Sequence, residues 1–170
     1  MAEKNSCVSI YPTTQAAAQA LGDLLAADCE LRNVSVVGKG CHAEDHTIGF
    51  YRAAERICYC GCQGRFWDDV WNQLADAAFF WVPGYGPLVA AGRIVPLMVR
   101  GLEDVEIGGG FSVPGAALHG IGVPRGNIDE YEQAIQAEKL LLLVHGERCD
   151  VEQAYEILHC ETQQVTVHSA

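Results

Sequence analysis

Leu140-Leu141-Leu142-Leu143-Val144 is the run on which the fold turns. Five successive apolar residues, without the alternation of a half-buried strand, describe a strand covered on both faces. Downstream, Val151, Ala154, Tyr155 and Leu158 stand at i, i+3, i+4 and i+7, and Val165 and Val167 alternate in a final strand. Asp150 with Gln153 has capping-box spacing at that helix's start. The same order opens the chain. Cys7 to Tyr11 alternates Val8 and Ile10 against Ser9 and Tyr11, Pro12-Thr13-Thr14 ends the strand and offers a helix cap, and Val34 to Val37 is a second β-rich run. Between them Ala17, Ala20, Leu21, Leu24 and Leu25 make one helical stripe. Two such units predict an α+β fold with the β-α-β-β-α-β order of a ferredoxin-like sheet. Residues 1–38 are its first half, 140–170 its second, and 39–139 an insertion within one composite domain.

The two helices of a ferredoxin-like sheet cover one face only. The bare face must therefore meet the inserted helices or a second subunit. The insertion has the composition for this, because Ala77 to Gly92 and Ile107 to Pro124 contain no charged residue. Each run is interrupted, by Pro83-Gly84-Tyr85-Gly86-Pro87 and by Gly108-Gly109-Gly110 with Pro114, so neither reaches the roughly 20 uninterrupted apolar residues of a membrane-spanning helix. They read as short helices packing on each other, on a partner or on a membrane surface. Gly108, Ser112, Ala116 and Gly120, each separated by three residues, would form a smooth ridge for close helix approach, within the chain or between chains. Ser112 suits a helix cap with Pro114 in the first turn, and a further helix fits Ile128, Tyr131 and Ile135 with Asn127 as cap and Glu130 behind it.

At 170 residues the chain is long enough for a sizeable core, and an apolar share of 49% against 19% charged suggests that some apolar surface is covered by another chain or by lipid. The net charge of −11 argues against nucleic acid as a partner, since an acidic surface repels phosphates. Met1 to Asn5 leads straight into a strand pattern without the basic segment, apolar run and cleavage site of a signal peptide. The expected compartment is the cytoplasm, where the eight cysteines would be thiols or metal thiolates.

Metal-competent side chains are densest at Cys41, His42 and His46 and at Cys58, Cys60 and Cys62. The thiols of Cys58-Tyr59-Cys60-Gly61-Cys62 would project from one face of an extended strand, and thiolate with imidazole suits Zn(II), Cu(I) or an iron–sulfur cluster. Paired zinc-site cysteines usually have two residues between them rather than one, however, so the plainer reading is half-buried thiols at a tight interface. Cys7, Cys29, Cys149 and Cys160 read as core or boundary residues. His119, His145, His159 and His168 are scattered, and no Gly-x-Ser-x-Gly turn accompanies them. Gly38-Lys39-Gly40 lacks the spacing of a phosphate loop. No catalytic set can be assembled, and no enzyme activity is expected.

Several stretches together carry a resemblance. Gly49-Phe50-Tyr51 with Glu55-Arg56, Gly64-Arg65-Phe66-Trp67, Phe79-Phe80-Trp81-Val82-Pro83-Gly84-Tyr85-Gly86-Pro87, Gly120-Ile121-Gly122-Val123-Pro124 and Tyr131 to Gly146 resemble the bacterial general-stress-protein-like family of unknown function. The resemblance implies a glycine-rich hydrophobic hairpin, membrane association in many members, and no established enzymatic activity. This chain departs from the pattern by placing Asp68, Asp69, Asn72, Gln73 and Asp76 on the first inserted helix and Glu103, Asp104 and Glu106 between the apolar runs, which favours a soluble version. The expected function is non-enzymatic: a self-associating structural or stress-related protein assembling through Phe79, Phe80, Trp81 and the small-residue ridge. A thiolate metal-binding or redox-sensing protein is the alternative, and a peripheral membrane protein the third reading.

Overall fold

The computed structural model describes residues 5–39, 49–52, 66, 70, 73–74, 76–82, 86–103, 112–159 and 164–168. They form an α+β fold around one antiparallel sheet. In chain order the elements are β1 (Asn5–Tyr11), α1 (Thr14–Ala26), a 3-10 turn (Leu31–Asn33), β2 (Val34–Lys39), β3 (Gly49–Arg52), β4 (Asp76–Val82), β5 (Gly86–Gly92), α2 (Ile94–Glu103), α3 (Val113–Gly120), α4 (Arg125–Gln136), β6 (Leu140–Gly146), α5 (Arg148–Leu158) and β7 (Gln164–His168). The sheet order is β3-β4-β5-β2-β6-β1-β7. The strands of the two end units, β1, β2, β6 and β7, therefore lie side by side. β6 and β7 flank β1, with Val8 opposite both Leu143 and Thr166.

The unbroken run of β6 is buried from Leu140 to Val144 because an apolar layer lies on each side. On one face Leu140, Leu142 and Val144 meet Leu21 and Leu24 of α1 and Val151, Ala154 and Leu158 of α5, with Phe66, Val70 and Leu74 extending the layer. On the other, Leu141 and Leu143 meet Ile94, Val95 and Met98 of α2, Ala117 and Leu118 of α3, and Ile128, Tyr131 and Ile135 of α4. The bare face is thus closed by the chain's own helices rather than by a second subunit. Of the α1 stripe only Leu25 is exposed, at 37%.

The first apolar run corrects an expectation: residues 77–82 and 86–92 fall in strands, not short helices. β4 and β5 pair as an antiparallel hairpin from Ala77↔Ala91 to Val82↔Gly86. Aromatic and β-branched side chains favour extended backbone, and prolines and glycines, which stop a helix, are concentrated in the sequence between and at the start of these two seven-residue strands. Asp76, expected on a helix, opens β4.

The helix starts also differ from two expectations. α4 begins at Arg125, two residues before Asn127, because the Pro124 carbonyl accepts from the Asn127 N–H at 3.0 Å and the turn has already begun. α5 begins at Arg148 after Glu147, which places Asp150 inside the first turn, where a carboxylate complements the positive end of the helix dipole. Thr13 and Ser112 do cap α1 and α3, accepting from the N–H groups of Ala16 and Gly115. Ser112 also donates to Glu132 of α4, fastening α3 to its neighbour.

Candidate functional site

The apolar layer under α4 stops at one end of the sheet in a row of polar side chains. Ser6, the second residue of β1, has the same parity as Val8 and Ile10, so it faces the α2–α4 side. Its antiparallel partners are His145 of β6 and His168 of β7. Residues directly opposite in an antiparallel pair hold their Cβ atoms roughly 5 Å apart, so Ser6 is flanked by an imidazole on each side. Asn33, just ahead of β2, continues the row past His145. All four are buried, Ser6 completely.

The two ends of the row differ. At the β7 end the Tyr131 hydroxyl of α4 lies 2.6 Å from His168 Nε2, and the rings meet edge to face. Thr166 hydrogen-bonds the same hydroxyl, leaving the phenolic proton for Nε2. Burial pushes the Tyr131 phenol up to about 12, and Thr166 pulls the other way while Glu130 and Cys7 add to the rise. Burial also holds His168 below the ordinary imidazole value, partly offset by nearby Glu130. This end is neutral and satisfied.

The β6 end is not. Ser6 Oγ and His145 Nε2 are both buried and have no hydrogen-bond partner among the described residues. Burial first, and Arg93 second, push His145 down to about 4, so its ring is neutral at physiological pH. Arg93 follows β5 on the exposed rim and its Nη1 donates to Asn33 Oδ1 at 3.5 Å. Native proteins pair nearly all their buried polar groups, because an unmade hydrogen bond costs about 1–3 kcal/mol. A serine hydroxyl and an imidazole nitrogen, both buried and without a described partner on one cross-strand row, therefore make this end of the sheet the candidate site.

The sequence-derived candidates fall elsewhere. Cys41, His42, His46, Cys58, Cys60, Cys62 and Gly108 lie outside the described residues. Phe79, Phe80 and Trp81 lie on β4, next to the outermost described strand. β3 pairs with β4 only from Asp76 to Phe79, so among the described residues Phe80, Trp81 and Val82 have no strand on their outer side. At Gly120 the small-residue ridge meets its own chain: a Cβ there would sit 3.3 Å from Leu97 Cδ1 of α2. Burial pushes the Cys7 thiol up to about 12, which makes it a packing residue rather than a reactive thiolate. Cys29 is raised as well, by burial and then by Asp150 and Asp28. Glu147, Cys149 and Asp150 bring ligating atoms within 4.8 Å of one another at the start of α5, but all lie toward solvent, where acidic groups gather for the helix dipole alone. His119 reaches the Val123 carbonyl and His159 stacks on Tyr155, each at the periphery.

Sequence spacing could not find the polar row, since Ser6, His145 and His168 belong to three distant segments. Their one shared signal is that each stands at a strand end with the parity of a core-facing apolar residue. Among the described residues no helix is long and apolar enough to cross a membrane. No protein-family model matches the chain, and comparisons with curated proteins and with solved structures likewise give no match.

Proposed function

We propose that this chain is a non-enzymatic binding protein of ferredoxin-like plan, whose insertion 39–139 extends the sheet and closes its second face, and whose working site is the polar row, where a small polar solute docks. The observation that carries this reading is the pair of buried groups without a described hydrogen-bond partner, Ser6 Oγ and His145 Nε2, near the ends of neighbouring strands, where local opening admits a solute. Neither flanking imidazole, His145 or His168, hydrogen-bonds Ser6 Oγ, so binding is favoured over nucleophilic catalysis. Acetamide and acetate, a neutral and an anionic probe of the same shape, provide the test. Amide chemical shifts of residues 5–8, 143–146 and 166–168 are expected to move saturably with at least one of them, and Ser6→Val to weaken that response at least fivefold. Shifts that saturate with neither probe would remove the site.

A second reading keeps self-association, with the stress-related role that the family resemblance implies. It is favoured by Phe80, Trp81 and Val82, a short apolar strand segment that no described strand covers on its outer side and of the kind that accepts a strand from another chain. Light scattering of the parent beside Phe80→Asp is expected to give a multiple of the 18.4 kDa chain mass for the parent and a lower mass for the variant. A monomeric parent would end this reading.

A further inference from the structure

β7 is the terminal strand of the sheet and, among the described strands, pairs with β1 alone. Five residues on a single ladder make it the part of the sheet that opens at least cost. On the α4 side it is tied by the buried His168, whose Nε2 accepts from the Tyr131 hydroxyl 2.6 Å away while Thr166 donates to the same oxygen. That tie holds only while Nε2 is an acceptor. A protonated imidazole has donors on both nitrogens, so the bond would reverse, the phenolic proton would lose its acceptor and a cation would sit on a residue only 6% exposed. From α4, Glu130 and Tyr131 face His168, and Glu130 offsets only part of the burial. From β1 it meets Ser6, with His145 beyond. α5 packs on the opposite face of β7, so its Tyr155 and its charged Arg148, Asp150, Glu152 and Glu156 lie across the sheet.

We propose that β7 is an acid-released latch: His168 takes up one proton from solvent, its hydrogen bond with Tyr131 reverses, and the strand leaves β1 while the other strands stay paired. Release carries the charged imidazole into water and opens the outer edge of β1 from Ser6 to Ile10. Burial holds His168 below the ordinary imidazole value, so the released strand binds the proton more readily than the closed one. The closed latch is therefore favoured at neutral pH and loses its advantage as pH falls. His145 cannot act in this way, because β6 lies inside the sheet between β2 and β1, and moving its charge into water requires the whole fold to open. The two imidazoles thus divide the acid response into a local step at β7 and a global one at β6. The latch needs no solute and is independent of the docking described above.

Native-state amide exchange on the full chain, corrected for the intrinsic pH dependence of exchange, separates the two steps. Between pH 7.5 and 5, protection of the amides of residues 164–168 is expected to fall about fivefold or more in the parent. His168→Gln, which cannot take up the proton, is expected to cut that fall to less than about twofold, and His145→Gln to leave it as in the parent. Protection of β6 is expected to respond to His145→Gln instead. In the parent itself, whatever the variants do, the His168 imidazole shifts are expected to titrate below 6.5. A midpoint at or above that value would overturn the latch. So would β7 protection that does not fall, that falls as much in His168→Gln, or that follows β6 and is flattened by His145→Gln.

Discussion

Replacing Gly92 by alanine is expected to destabilise the protein by about 3 kcal/mol or more, a large share of the roughly 5–15 kcal/mol that holds a typical domain together. Gly92 ends β5 with φ +93°, a conformation that costs an L-residue about 1–2 kcal/mol. A Cβ there would fall on the Val34 carbonyl oxygen and lie 2.8 Å from Ser35 Cα. These obstacles are backbone atoms of β2, which is fixed between β5 and β6, so they cannot swing aside as a side chain would. The same crossing carries the Ile94 N–H to Ser35 Oγ at 3.1 Å, which anchors the start of α2. Urea denaturation measures the effect as a lower midpoint. Gly22→Ala in α1 and Gly126→Ala in α4 are the controls, since a Cβ at either meets nothing within 4 Å, and each is expected to stabilise by about 0.5–1 kcal/mol. A Gly92→Ala midpoint equal to the parent's would mean that the β5–α2 corner is not built as described.

Acidification is expected to weaken the fold between about pH 6.5 and pH 4. His145 is depressed in the folded state to about 4 from the ordinary imidazole value of 6.5, so across that window the unfolded chain binds the extra proton and the folded chain does not. Stability then rises with pH through the window; it is fully present above 6.5 and lost as pH falls through the folded value. The shift sets a ceiling of roughly 3 kcal/mol for this one residue, at about 1.4 kcal/mol per unit. His168, depressed by burial, acts in the same direction. At His145 the nearby Arg93 adds repulsion to desolvation, whereas at His168 Glu130 partly offsets it. Denaturation midpoints measured from pH 7.5 to 4 should fall steeply for the parent and less steeply for His145→Gln, which has no proton to take up. Parallel curves for the two proteins would show that His145 is not buried and neutral.

Much of the architecture was legible because it is written in short-range patterns. The stripes at Ala17, Ala20, Leu21 and Leu24, at Ile128, Tyr131 and Ile135, and at Val151, Ala154 and Leu158 are buried as their spacing requires. The unbroken Leu140 to Val144 run does lie between two covering layers. The hairpin of β4 and β5 was misread because continuous apolar runs have no period to separate strand from helix. The decisive information was the breaker cluster at 83–87, which stops a helix and suits a reversal between strands. The small-residue ridge was ambiguous for a related reason: small side chains permit close approach without naming the partner, and at Gly120 that partner is Leu97.

The sequence by itself determined the strands and helices of the two end units and the helices α3 and α4, which of their faces are apolar, and that a second covering layer had to exist. Only the tertiary structure decided that α2, α3 and α4 of the same chain supply that layer and that β1 lies between β6 and β7. That order places Ser6 between His145 and His168 and brings Tyr131 and Arg93 to the two ends of one row. The physical reason is that parity and periodicity are local properties of a segment, whereas strand order and register follow from how all the apolar faces of the chain are satisfied at once.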